Sequence, residues 1–230
     1  MPRKTGDAPE NVRENRRRLA RALGVSPEAI LTPRQVHGSA VAVIKDTPLE
    51  KACADRSDQD PADALVTNVP GLCVMVLVAD CVPILLYDPQ SQVVAVVHAG
   101  WRGTLDRIAE KTIGVMQQHF GSRPQNVLAA MGPSIGPCCL KVGSEVAARA
   151  RAVLGSIGNV ARSSAHGAYT LDLWRANQEQ LLEAGLMEQH VENSGVCTCC
   201  EQSRRFFSYR RDRGHTGRFG AGIFIRLQSV

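Results

Sequence analysis

The sequence predicts an α+β fold, a single layered domain spanning residues 1–230 in which a mixed β-sheet core is packed by helices. Three observations carry that reading. The middle of the chain holds three short, nearly uninterrupted apolar runs, "LCVMVLVAD", "VPILLYD" and "VVAVVHA". Runs without polar alternation belong to strands covered on both faces, by helices or by a second sheet. Amphipathic stretches with helical spacing lie on either side of these runs. Finally, 230 residues of which 44% are hydrophobic suffice for one sizeable core, and no internal repeat divides them.

The elements follow in chain order. Pro9 opens a helix over 9–23, with Val12, Leu19 and Leu23 among good helix formers and Gly24 as its stop. Two strands, "ILTPRQVHG" and "AVAVIKD", meet at a hairpin corner formed by Gly38 and Ser39. Residues 46–63, with Pro48, Asp55, Asp58, Asp60, Pro61 and Asp63, lack apolar periodicity and read as a surface loop. After the three buried strands, Thr104 is the N-cap of a helix in which Leu105, Ile108, Ile113, Met116 and Phe120 recur until Gly121. "NVLAAMG" adds a strand before the turn "GPSIGPCC". Helices over 143–154 and along "LDLWRANQEQLLEAG" precede a tail, from Val191, that alternates short strands with turns.

Composition narrows the class of protein. The net charge of +5 concentrates in Arg13, Arg16, Arg17, Arg18 and Arg21, which read as a solvated helix face and not as a nucleic-acid site. No apolar run approaches the roughly 20 residues of a membrane span, and the Arg-rich start lacks the apolar segment of a secretory signal. The expectation is a cytoplasmic protein with neither membrane nor nucleic-acid partners. In such a chain eight cysteines read as thiols or metal ligands before disulfides.

His37 in "QVHG", Cys81 in "VADCVP" and His98 in "VVHAGW" stand at ends of predicted strands. Two imidazoles and a thiolate suit zinc, and three protein ligands leave the fourth tetrahedral position open, as catalytic zinc requires. Spacing alone does not show that they converge. His98 reads equally as a hydrogen-bonded core histidine, and Cys81 as a small buried hydrophobe.

Other stretches offer binding groups. "GWRG" directly precedes a helix start, where unpartnered N–H groups favour an anion. Arg102 would bind phosphate there, or pair with a carboxylate such as Asp106. Gln35, two residues from His37 on one strand face, would support that ligand or touch substrate. In "CTCC", Cys197 and Cys200 have C-x-x-C spacing, but Cys138 and Cys139 are adjacent and poorly disposed to chelate together. Neither a structural zinc nor a redox dithiol is expected there. "FFSYRRDRGHTGR" sets Arg210, Arg211, Arg213 and Arg218 beside Phe206, Phe207 and Tyr209, which fits a pocket wall around base and phosphate, or a packed sheet edge.

In this order, "QVHG", "DALVTNVPGLCVMVLVADCVPILLYDP", "AVVHAGWRGTL", "GPSIGPCC", "LDLWRANQEQL" and "FFSYRRDRGHTGR" closely resemble the laccase-domain family, also called the YfiH or multicopper polyphenol oxidase family, from about residue 8 onward. The resemblance implies a YfiH-like fold and a zinc-centred active site formed by His37, Cys81 and His98. It implies phosphorolysis of adenosine, inosine or guanosine to free base and ribose 1-phosphate, with adenosine deamination and methylthioadenosine cleavage in some members. Water activated by zinc would explain deamination at the purine C6 position, while Arg102 holds phosphate and Arg210 and Arg211 face substrate. Two departures stand out. The chain opens almost at the first helix, so either part of one pocket wall is missing or the true start lies further upstream, and Leu140 and Lys141 replace the family's Tyr and Glu after the "GP" turn.

Rival readings use the same residues. A copper polyphenol oxidase of the cupredoxin type needs a three-copper cluster besides a His2Cys copper, and six histidines, with His119, His166 and His190 in unrelated contexts, supply it poorly. Copper would still outrank zinc for the three donors. Cys81 activated by His98 would instead give a Cys/His hydrolase, which fits the editing of peptidoglycan precursors attributed to the family. A zinc-stabilised binding module predicts a closed site, whereas three ligands are visible. The partners expected are a purine nucleoside and phosphate, bound by a monomer or a homodimer.

Overall fold

The computed structural model describes residues 7–54, 61–155, 161–163 and 169–227. The apolar runs form β3 (Ala64–Thr67), β4 (Cys73–Val78), β5 (Val82–Asp88) and β6 (Val93–Ala99). With β2 (Val41–Ile44), β7 (Leu128–Met131) and β11 (Val191–Asn193), three of them build a six-stranded sheet in the order β11-β7-β5-β6-β3-β2. Its outermost pairs are parallel and its inner pairs antiparallel, so the sheet is mixed. β4 lies instead between β1 (Ile30–Leu31) and β12 (Phe219–Ile223) in a separate three-stranded sheet. A small antiparallel sheet joins β8 (Lys141–Val142), β10 (Tyr169–Leu171) and β9 (Ala161–Ser163).

Burial explains the uninterrupted runs. On one face of the large sheet, Val66, Ile84, Leu86 and Val97 pack against α4 (Ile108–Phe120), α5 (Ser144–Val153) and α6 (Leu173–Glu183). On the other face, Leu65, Val94 and Val96 meet Val74, Val76 and Val78 of β4. The far side of β4 presents Cys73 and Met75 to Ala20 of α1 (Pro9–Leu23). Helices, large sheet, small sheet and helix thus form successive layers, and every central strand is covered twice. Each fully buried side chain such as Ile84, Leu86 or Ile113 stabilises the fold by about 1.5–3 kcal/mol.

Where the elements differ from the sequence reading, tertiary contacts decide. The hairpin at Gly38 and Ser39 does not form: β1 pairs parallel to β4 and β2 pairs parallel to β3, so residues 32–40 cross from one sheet to the other. Pro33 lacks a donor, and the N–H groups of Val36, His37 and Gly38 go to the Asp63 carboxylate instead of a neighbouring strand. Within the expected surface loop, Leu49–Ala54 form α2, which buries Ala52 with Val69 and Leu72. Asp63 is fully buried, while Asp55, Asp58 and Asp60 lie outside the described residues.

The helix expected from Thr104 starts earlier, as α3 (Trp101–Leu105) with Gly100 at the N-cap, and breaks at Arg107 before α4. Thr104 is buried inside it, accepting from Asn177 Nδ2 at its hydroxyl (3.1 Å) and from Gln180 Nε2 at its carbonyl (2.8 Å). Arg13, Arg17, Arg18 and Arg21 form the expected exposed face of α1. Arg16 turns inward and donates to the carbonyls of Pro27 and Ile30. No described helix is long and apolar enough to cross a membrane.

Candidate functional site

The antiparallel register of β5 and β6 sets Val82 opposite Ala99 and Pro83 opposite His98, so Cys81 and His98 meet at one end of the large sheet. Along β6, His98 continues the face of Val94 and Val96 by the two-residue period of a strand. The crossing segment brings His37 to the same end. The ligand atoms of His37, Cys81 and His98 lie within 4.8 Å of one another, and the two imidazoles meet edge to face. His98 is buried, Cys81 half-buried and His37 exposed, which leaves the group open to solvent on one side.

Asp63 organises this convergence. Its Oδ1 accepts from Nδ1 of His98 (2.7 Å) and the main-chain N–H of His37 (2.9 Å), and its Oδ2 from the N–H groups of Val36 (3.1 Å) and Gly38 (2.8 Å). An ionised carboxylate only accepts, so Nδ1 of His98 carries the hydrogen and Nε2 is left for a ligand. The successive N–H contacts hold His37 at φ 60°, which non-glycine residues rarely adopt. Burial acts to raise the Asp63 carboxyl, but His98 and these N–H groups hold it below the ordinary range. Sequence offered only a faint signal for it, a single Asp just ahead of the apolar "ALVT".

The electrostatics favour a metal. Burial opposes ionisation of Cys81, yet His98 and His37 pull its thiol below the usual thiol range. Burial likewise disfavours a charged His98, yet Cys81 and Asp63 hold its imidazole above the usual range. A thiolate is therefore the preferred form of Cys81. One thiolate and two imidazoles, one of them fixed by a carboxylate and all open on one side, fit zinc or copper with a coordination position to spare.

The glycines of "GWRG" are set by close approach. A Cβ on Gly100 would lie 3.1 Å from Cys81 Sγ and 3.3 Å from the His37 ring. One on Gly103 would lie 2.8 Å from the Gly38 carbonyl oxygen. Both permit α3 to pack directly on the segment that delivers His37.

A cleft of about 860 Å³ opens onto the three donors. Gln35, Trp101, Arg102, Tyr209, Arg210 and Arg218 are among its walls. Gln35 reaches the cleft, but its amide donates to the Leu77 carbonyl and accepts from the Leu77 N–H, both at 2.9 Å, and so clamps β4 as a neighbouring strand would. Arg102 lies 4.5 Å over the Trp101 ring and forms no ion pair among the described residues. Asp106 pairs with Arg149 instead. Arg102 sits inside the five-residue α3 and not ahead of a long helix, so any anion would be held by its side chain more than by a helix end.

Arg210 lines the cleft, with its guanidinium on the Lys141 carbonyl (3.0 and 3.1 Å). Arg211 is not brought there. It is held by Asp212 (2.8 Å) and by the carbonyls of Thr198 (3.1 Å) and Phe206 (2.9 Å), a clamp within the C-terminal loops. Phe206 packs on Phe219 as a sheet edge would. Asp80, which the sequence did not single out, accepts from Thr198 Oγ1 (2.7 Å) and the Arg210 N–H (2.6 Å), tying those loops to the residue before Cys81.

The C-x-x-C reading also needs correction. The sulfurs of Cys138, Cys139, Cys197 and Cys200 lie within 4.8 Å of one another, because Ser134 bridges to Cys197 and draws the "GPSIGPCC" turn against the 197–200 turn. Adjacency of Cys138 and Cys139 does not keep their sulfurs apart.

Comparison with known proteins accords with the resemblance. The multi-copper polyphenol oxidoreductase laccase family matches residues 1–226. The chain is 35% identical to a purine nucleoside phosphorylase of Bacteroides thetaiotaomicron, over 96% of this chain and 82% of that protein. It is 38% identical to the purine nucleoside phosphorylase YlmD of Geobacillus stearothermophilus, over 95% and 80% respectively. An adenosine deaminase from an unknown prokaryotic organism is 39% identical, over 95% and 84%. The fold superposes on Bacillus licheniformis YfiH with a TM-score of 0.87 at 31% identity, covering 98% of this chain and 85% of that one. With sequence and fold in agreement over nearly its whole length, the chain belongs to the multi-copper polyphenol oxidoreductase laccase family.

Proposed function

We propose that this protein is a zinc-dependent purine nucleoside phosphorylase, converting adenosine, inosine or guanosine to the free base and ribose 1-phosphate, with adenosine deaminase and methylthioadenosine phosphorylase side activities. The observation that carries the reading is the cleft, in which a three-donor metal centre faces walls bearing Arg102, Arg210 and Arg218. Its volume of about 860 Å³ accommodates a nucleoside with an anion beside it. Nearly full-length relatives named purine nucleoside phosphorylase support the same conclusion. We also read residues 1–230 as one cytoplasmic domain, monomeric or homodimeric, whose partners are small molecules.

In the reaction a phosphate oxygen bonds to C1′ of the ribose as the C1′–N9 bond breaks, and the bonding electrons leave with the purine, which takes up a proton. Arg102, with its charge unpaired by any carboxylate among the described residues, holds phosphate for that attack. Trp101 and Tyr209 offer aromatic faces to the base. Zinc held by His37, Cys81 and His98 supplies, when bound, a Lewis acid and a positive charge at the cleft floor. Asp63 keeps His98 in the ligating tautomer and His37 in place.

One observation favours a second reading. The Cys81 thiolate beside two imidazoles would serve a Cys/His hydrolase if no metal claimed it. Copper would take the same donors, but the other metal-capable group among the described residues is all cysteine, which offers no imidazole cluster for three coppers.

The test is base release from adenosine and inosine by the zinc-loaded chain, with and without phosphate, beside His98→Ala. Phosphate-dependent ribose 1-phosphate, lost in the variant, is expected. Turnover that ignores phosphate, or none with zinc bound, would refute the phosphorylase.

A further inference from the structure

Apart from the three donors of the cleft, four further sulfurs converge, none of them among the cleft's lining residues. All lie within 4.8 Å of one another, with Cys138 and Cys200 at 3.6 Å. Sulfurs bound at about 2.3 Å around a tetrahedral zinc stand roughly 3.8 Å apart, so separations within 4.8 Å are short enough for one ion to engage all four after small side-chain adjustments. The main chain builds this arrangement. Ser134 donates to the Val196 carbonyl (3.1 Å) and its own carbonyl accepts from Thr198 (3.0 Å). The Gly136 N–H donates to Cys197 Sγ at 3.2 Å, and a Cβ on Gly136 would lie 2.9 Å from Trp174 and 3.2 Å from Cys138 Sγ. The turn that carries two of the sulfurs is therefore closely packed. All four are free cysteines, and Cys138 and Cys200 at 3.6 Å stand well beyond the roughly 2.05 Å of a disulfide bond.

We propose that Cys138, Cys139, Cys197 and Cys200 form a second metal site, a tetrathiolate zinc centre that fastens one wall of the cleft. Four protein ligands close the coordination sphere, so its role is structural and not catalytic. Binding releases the thiol protons to solvent and changes no oxidation state. Four thiolates around a dication leave an excess of negative charge, and Arg211 sits beside it, donating to the carbonyl of Thr198 between two of the ligands (3.1 Å). The fastening reaches the candidate active site through Thr198, whose hydroxyl donates to Asp80 (2.7 Å), and through Ile135, whose N–H donates to the Asp80 carbonyl (2.9 Å).

The test measures zinc per chain and the zinc-edge X-ray absorption of the full chain carrying either His37→Ala with His98→Ala, or Cys138→Ser with Cys200→Ser. The histidine variant should retain about one zinc in an all-sulfur shell, and the cysteine variant should lose that ion. A histidine variant without zinc, or with nitrogen in the shell of its zinc, overturns the proposal. So does thiol counting that finds a disulfide among the four. If the cysteine variant does not fold, the unvaried chain decides by holding either two zinc ions, one of them bound by sulfur alone, or a single ion in a mixed shell, which refutes the site. None of these readouts depends on phosphorolysis, so failure of the enzymatic reading leaves the result intact.

Discussion

Oδ1 of Asp63 stands 2.7 Å from Nδ1 of His98, with both side chains buried, and this contact sets which ring nitrogen of the histidine faces the cleft. The same carboxylate receives three main-chain N–H groups from residues 36–38. An acceptor-only group with two oxygens is needed at this position. In Asp63→Asn, either amide orientation points an NH2 at donors. The variant should lose about 2–4 kcal/mol of stability and 10–100-fold in zinc affinity, read by urea denaturation and by competition with a chromogenic chelator. Because the folded carboxyl titrates below its unfolded value, the stability it confers is full at neutral pH and lost as pH falls through the depressed pKa. The gap between wild type and variant should therefore close in acid, and a gap independent of pH would contradict the account.

Gly103→Ala and Gly100→Ala should fail differently. At Gly103 the added methyl meets a backbone oxygen, so overpacking should cost about 1–3 kcal/mol and lower the thermal midpoint. At Gly100 it presses on Cys81 and His37, so zinc occupancy should fall more than stability does.

Kinetics should separate the arginines. Arg102→Ala removes a charge-assisted contact worth about 1.5–3 kcal/mol and should raise the KM for phosphate roughly 10–100-fold, with little change in the KM for nucleoside. Arg211→Ala should leave the phosphate KM unaltered and lower stability, since its guanidinium serves Thr198, Phe206 and Asp212. Equal effects on phosphate KM would mean that Arg211 reaches the cleft after all.

Removing metal with a chelator should abolish phosphate-dependent base release, and zinc should restore it. Any phenol oxidation by copper-loaded protein should vanish when zinc replaces copper, because zinc has no redox chemistry. Oxidation that persisted with zinc would count against a metal-dependent origin.

Much of this could be read in the residues. The uninterrupted runs around Val76, Ile84 and Val96 foretold strands covered on both faces, and they are. His37, Cys81 and His98 stood out by type, but their convergence depends on a chain crossing between two sheets, which periodicity does not encode. Asp63 was hidden because a buried carboxylate is defined by its partners, here N–H groups 25 to 27 residues away in sequence. Gln35, expected to support the His37 ligand or touch substrate, lines the cleft, but spacing gave no sign that the Leu77 backbone holds both ends of its amide. The four cysteines were dismissed on sequence adjacency, which says nothing about the bridge between Ser134 and Cys197.

The three-stranded sheet around β4 is completed by Phe219–Ile223, which pair with Val74–Val78, about a third of the way along the chain. At roughly 5–20 residues per second, a ribosome finishes this last strand many seconds after the partner it joins. Throughout that interval a nascent chain displays an open β4 edge, the kind of surface chaperones shield. His37, Cys81 and His98 have all been synthesised by then, whereas Tyr209, Arg210 and Arg218 have not. Maturation therefore has a built-in order: the metal ligands exist long before the cleft can close, so the ion can be acquired by a chain that is still unable to retain a nucleoside.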